Sequence, residues 1–196
     1  MKRFISLLLI AVMAITIFTA CKDEFVYDED KTYYATIEVE DYGTIVVQLS
    51  NINAPKTVEN FVTLAVSGFY DGLTFHRIME GFMMQGGDPN GNGSGGSDKN
   101  IEGEFTANGF INSLSHKRGV ISMARANAYD SASSQFFICH QDSVFLDGQY
   151  AAFGFVTEGM DVVDKICTEA EPVDNNGTIP KANQPVIEKI TITWDE

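Results

Sequence analysis

The sequence predicts a mainly β fold, a closed eight-stranded antiparallel barrel capped by two α-helices. Three observations carry this. Short runs with strand alternation or strand composition recur about eight times between turn signals. Only two stretches show helical periodicity. Strands and helices do not alternate in the rhythm that builds a parallel sheet, which leaves an antiparallel barrel with helices at its ends.

Taken in order, Thr32 to Glu40 alternates, with Ala35, Ile37 and Val39 on one side and Tyr34, Thr36, Glu38 and Glu40 on the other. Asp41-Tyr42-Gly43 is a turn, and Thr44 to Leu49 returns as the second arm of a hairpin. Asn53-Ala54-Pro55 opens a helix, with Asn53 placed to cap it and Pro55 in its first turn. Val58, Phe61, Val62 and Ala65 share one helix face, and Gly68 stops it. Further strands are expected at Leu73–Ile78, Phe82–Gln85, Gly119–Met123, Gln135–Ile138, Ala152–Val156 and Val186–Trp194, with a short second helix over Met160–Ile166. The run Gly91 to Gly96 has the GxGxxG spacing, but it continues as polar loop rather than opening a helix, so it reads as a flexible surface loop and not a nucleotide site.

Composition narrows the function. Apolar residues make up 44% of the 196, a globular value for one domain with a sizeable core. Asp and Glu number 27 against 13 Lys and Arg, a net charge of −14, which repels nucleic-acid phosphates and anionic lipid. Nucleic acid is therefore not an expected partner. Lys2 and Arg3 followed by the apolar run Ile5 to Phe18 read as a signal peptide over residues 1–20, too short for a spanning helix of about 20 residues. Phe18-Thr19-Ala20-Cys21 resembles a bacterial lipobox, in which the cysteine is acylated and becomes the new N-terminus. Acyl chains on Cys21 would anchor the chain without any basic patch, since each buried methylene contributes roughly 0.8 kcal/mol. Residues 21–31 then form a lipidated, acidic tether, and 32–196 the domain. The expected location is the cell envelope, on the periplasmic side of an outer membrane or at the cell surface. Cys139, after the apolar QFFI run, and Cys167 are expected as free thiols, and no cysteine or histidine spacing fits a metal site.

No nucleophile–base pair stands out, and His76, His116 and His140 are expected to be satisfied or surface histidines. What does stand out is a series of blocks: FHRI (75–78), GFMMQGGD (81–88), SMARA (122–126), SSQFFI (133–138) and FLDGQYAAFG (145–154). In this order and spacing they closely resemble the signature blocks of the cyclophilins, peptidyl-prolyl cis-trans isomerases, across the whole domain.

The resemblance implies a set of roles. Arg77 matches the catalytic arginine, and Gln85 the glutamine that braces it and binds substrate backbone. Phe82, Met83, Phe137 and Leu146 match the walls of the proline pocket; Ala124 and Gln135 match the lining of the adjoining groove. Phe145 and Tyr150 stand where the best-known eukaryotic members carry Trp and His, which implies weak binding of the cyclic peptide cyclosporin but intact catalysis. Arg125 replaces a common Asn at a position that mainly offers its backbone, so little loss is expected. The strand pattern places Phe75 and Arg77 on one side, with Gln85 approaching from the neighbouring strand.

Such residues suit a reaction that breaks no bond and needs no metal or cofactor. The implied function is acceleration of folding of exported proteins, on proline-containing polypeptide clients, by a monomeric enzyme. The alternative is a proline-peptide binding module or holdase without significant catalysis. Intact Arg77, Phe82, Gln85 and Phe137 favour the enzyme.

Overall fold

The computed structural model describes residues 25–195. The eight strands are β1 (Tyr33–Val39), β2 (Gly43–Leu49), β3 (Thr74–Met79), β4 (Met83–Asp88), β5 (Val120–Met123), β6 (Phe136–Cys139), β7 (Ala152–Glu158) and β8 (Ile187–Trp194). Two α-helices accompany them, α1 (Pro55–Val66) and α2 (Met160–Glu169). They form one antiparallel sheet in the order β3-β4-β6-β5-β7-β2-β1-β8.

The sheet is not the fully closed barrel expected. It curls into a half-barrel whose edge strands, β3 and β8, meet only at one end: Ile187 N–H donates to the Leu73 carbonyl, the Ile187 carbonyl accepts from Gly72 N–H, and Thr74 bridges to Val186. Further along, the free edge of β3 is occupied by the loop between α2 and β8. Ile78 N–H donates to the Gly177 carbonyl and Ile179 N–H to that of His76. A loop that satisfies the backbone groups of an edge strand removes the drive to complete the ladder.

Alternation along β1 and β2 buries Tyr33, Ala35, Ile37, Val39, Ile45, Val47 and Leu49, as period two requires. The apolar face of α1 buries Val58, Phe61 and Val62 completely, at roughly 1.5–3 kcal/mol for each large side chain. Phe61 meets Tyr70, Phe136 and Phe153 with ring centroids 5.2–5.5 Å apart, the centre of the core. Gly68, at φ 77°, follows the end of α1 as expected.

The N-terminus of α1 departs from expectation. Asn53 does not cap it; its amide bonds Ser50 instead. The buried carboxylate of Glu104 accepts the N–H groups of Lys56 and Thr57 and the Thr57 hydroxyl, at 2.7–3.0 Å. Pro55 carries no N–H, so a cap supplied from a distant loop satisfies the next two donors. Residues 25–31 are also not a free tether. Tyr27 stacks on Tyr33 at 5.1 Å and donates to Asn51, and Phe25 packs on Trp194 at 5.9 Å, so the folded unit reaches back to Phe25. Cys139 and Cys167 are both free and buried, and burial pushes each thiol up to about 12.

Candidate active site

Strand alternation on β4 and β6 sends residues to two faces. Met84, Phe136 and Ile138 enter the core, whereas Met83, Phe137 and Cys139 form a second, smaller apolar cluster on the outer face, joined by Met79, Phe82, Ala124, Leu146 and Tyr150. A hollow of about 140 Å³ opens in this cluster, lined by Arg77, Phe82, Met83, Gln85, Ala124, Arg125, Phe137, Leu146 and Tyr150. Eight of these nine are residues the sequence placed in the site.

A β-bulge brings Arg77 to this face. Phe75 pairs with Gly86 and Arg77 with Gln85, so two steps on β3 match one on β4, and His76 is the extra residue. Strict alternation would leave Phe75 and Arg77 on the same side. The bulge separates them: Phe75 is fully buried in the core, and Arg77 lies outside beside Gln85. Gly86 makes room for the Phe75 ring, because a Cβ there would lie 2.9 Å from both the ring and the Thr74 carbonyl.

The guanidinium is held by several partners. Nε donates to the Asn176 carbonyl at 2.7 Å, and Nη1 to Gln85 Oε1 at 3.2 Å. Nη2 lies 3.4 Å from the Met79 sulfur, and the group sits 5.8 Å from the centre of the Phe82 ring. Gln85 donates on to Gln135 Oε1 at 2.9 Å, and Gln135 to the carbonyls of Gly93 and Gly95. The donors run one way along this chain, which fixes both amides and, through them, Arg77. Burial lowers the Arg77 pKa from its ordinary value, but a guanidinium stays charged.

Gln135 lies where the resemblance implied, outside the hollow beside Arg77. It lines the adjoining groove of about 330 Å³ with Gln85, Ala124, Arg125 and the 93–97 loop. The GxGxxG run, residues 91–96, overlaps that loop and lies at the surface as expected, tied in place by hydrogen bonds. The Asp88 carboxylate accepts the N–H groups of Asn90, Asn92 and Gly93, and Gln135 ties its other side. Burial raises the Asp88 pKa, but these three N–H bonds outweigh it and hold the group below the usual carboxylate range.

Phe145 is 70% exposed and lies on the rim, its ring 5.6 Å from that of Phe82, rather than in the hollow. Tyr150 meets Phe137 edge-on at 6.0 Å. Beneath Phe137, His116 stacks at 6.0 Å and bridges Asp147, at 2.8 Å, and Ser122, at 3.0 Å. His140 is likewise satisfied, accepting from Gly81 N–H and facing Asp164 at 3.2 Å. His76 is the exception: it is buried, and neither ring nitrogen has a hydrogen-bond partner among the described residues.

Two contributors escaped the sequence reading. Asn176 acts through its carbonyl alone, so its residue type gives no signal beyond the turn that Asp174 and Gly177 announce. Arg125 was expected to contribute mainly its backbone, whereas its side chain lines both hollows. A larger hollow, about 730 Å³, lies between α1 and residues 97–102, and none of the residues the sequence placed in the site borders it.

The comparisons agree with this geometry. The family model described as cyclophilin type peptidyl-prolyl cis-trans isomerase matches residues 34–193. The peptidyl-prolyl cis-trans isomerase of Helicobacter pylori is 49% identical over 138 residues, covering 69% of this chain and 81% of that protein. Peptidyl-prolyl cis-trans isomerase B of Bacillus subtilis is 45% identical over 123 residues, covering 63% and 82%. A cyclophilin type isomerase of Cryptosporidium parvum, crystallised in the presence of the dipeptide Ala-Pro, superposes with a TM-score of 0.72 at 29% identity, covering 83% of this chain and 99% of that one. With an arginine fixed beside an apolar, proline-sized hollow on a half-barrel of this topology, the chain belongs to the cyclophilin-type peptidyl-prolyl cis-trans isomerase family.

Proposed function

We propose that the protein accelerates the folding of exported proteins by isomerising their prolyl bonds, with Arg77 stabilising the twisted transition state. The observation that carries this reading is the position of Arg77, braced by Asn176 and Gln85 at the edge of the apolar hollow. A prolyl amide is held planar by resonance, with a barrier of ~18–20 kcal/mol. At the twisted state resonance is lost and the imide nitrogen gains a lone pair. A charged donor already in place binds that nitrogen, or steadies the carbonyl, better in the twisted state than in either planar one. Phe82, Met83, Phe137 and Leu146 would grip the ring while Gln85 and the groove hold the rest of the client, so that one side can rotate.

The test is isomerisation of a proline peptide by wild type and Arg77→Ala, both confirmed folded. Loss of one preorganised charged donor is expected to cost about 10²–10³ in rate, on the order of 3 kcal/mol. Arg77→Lys is also expected to be poor, since a point charge does not reproduce the planar fork. Affinity should fall less than turnover, because the loss is confined to the twisted state. Near-equal rates would overturn the mechanism and leave the proline-binding holdase as the better reading.

The site of action we infer from the N-terminal sequence is the cell envelope, with lipid on Cys21. Wild type should partition into detergent and carry acyl chains, and Cys21→Ala should be soluble or unprocessed. A soluble wild type without lipid on Cys21 would refute the anchor.

A further inference from the structure

We propose that Arg125 is a specificity-determining residue that favours clients carrying an acidic side chain within two residues of the proline, a substrate preference that rests on the isomerase reading above. The argument begins with charge. Over the whole chain acidic groups outnumber basic ones about two to one, 27 against 13. The hollow beside Arg77 and the groove next to it reverse that balance: Arg77 and Arg125 are the charged residues lining them, and no Asp or Glu joins them. A cleft lined by one sign of charge with apolar walls concentrates the field within it.

Among the described residues neither arginine has a carboxylate within 4 Å, whereas Lys56, Lys117 and Arg118 each have one. The Arg125 guanidinium donates only to backbone carbonyls, those of Gln149, Ala126 and Asn127. Carbonyl dipoles orient the fork without cancelling its charge. Three rings hold it in place, Tyr150 at 4.8 Å, Tyr129 at 5.0 Å and Phe105 at 5.1 Å. It is therefore a fixed cation and not a mobile surface side chain, and it stands where the two hollows meet. The neighbouring hollow against α1 mixes both signs, with Lys56 and Lys99 beside Glu59, Asp98 and Glu102, so a lining of one sign is a feature of the Arg77 and Arg125 side alone among these hollows.

The test uses short proline peptides with Glu or Lys placed in turn at each of the two positions on either side of the proline. Affinity is read by NMR titration and isomerisation by exchange spectroscopy on the same samples. At low ionic strength at least one Glu peptide is expected to bind about two- to fivefold tighter than its Lys counterpart, the range of an exposed ion pair. This gap should run against the net charge of the protein and close in high salt. Arg125→Gln should narrow it at that position, and Arg125→Lys should keep most of it, which separates charge from packing on the three rings. Equal affinities at every position, or a gap that Arg125→Gln leaves unchanged, would overturn the proposal. A wild type that keeps the charge preference but isomerises none of the peptides would sink the isomerase reading and leave this one standing.

Discussion

Phe136 and Phe137 are neighbours on β6, and they serve different ends. Phe136 is fully buried among Phe61, Tyr70 and Phe75, with ring centroids 5.5–6.0 Å away. Phe137 points to the outer face, where His116, Met83 and Tyr150 surround it on one side and the proline-sized hollow opens on the other. The same contrast repeats on β4, where Met84 enters the core and Met83 lines the hollow. The inner face is packed on all sides and supplies stability. The outer face leaves one side unfilled, so its residues trade contacts for a place where a ligand ring can enter. Two clusters built from alternate residues of the same strands thus differ in kind, one closed by packing and the other left open on one side.

The largest effect should come from the inner face. Phe136→Ala leaves a cavity among three aromatic rings and is expected to cost about 3–5 kcal/mol by chemical denaturation. Phe137→Ala should cost much less stability, because it already borders an open hollow, yet should lose more isomerase activity at a temperature where both variants are folded. Equal stability losses would break the distinction between the faces.

Next is Glu104, whose carboxylate belongs to the inner side of this comparison because it caps α1. Glu104→Ala strands the N–H groups of Lys56 and Thr57 and the Thr57 hydroxyl, and about 1–3 kcal/mol of stability should go with them. The charge-free Glu104→Gln should recover part of it. A variant as stable as wild type would show that water serves those donors equally well.

On the outer side, the rim residue Phe145 offers no hydrogen-bond donor. Phe145→Trp adds an indole N–H, and cyclosporin is expected to inhibit that variant more strongly, by up to about tenfold for one hydrogen bond. Identical inhibition of both forms would remove Phe145 from the binding surface.

The smallest effect concerns His76, the bulge residue between the faces. Burial lowers its pKa, Asp88 opposing and Arg77 adding to the shift, and burial lowers that of His116 against the pull of Asp147. With folded values below the unfolded one, the unfolded chain takes up protons first as pH drops below about 6.5. Stability from this source is full above that pH and declines as pH falls towards the folded values. His76→Leu should flatten part of the decline, measured by urea denaturation at several pH values. An unchanged slope would mean that His76 does not titrate in this window.

The strands, the two helices and nearly all of the residues lining the hollow beside Arg77 were legible in the sequence, because each depends on local pattern or on residue type. Alternation marks a strand wherever it occurs, and FHRI, GFMMQGGD and SSQFFI carry the pocket residues on contiguous stretches. The features not legible there depend on segments that are distant in the chain. Glu104 caps a helix that begins 49 residues earlier, and no local rule selects it over Asn53. The loop at Asn176 and Gly177 occupies the edge of β3, which keeps the barrel from closing and also braces Arg77. The bulge at His76 turns Arg77 out of the core, and its register is set by pairing with β4. The charge of Arg125 gained its place only when Phe105, Tyr129 and Tyr150 came together around it. Local pattern fixes which residues are available, and long-range pairing fixes which of them face one another.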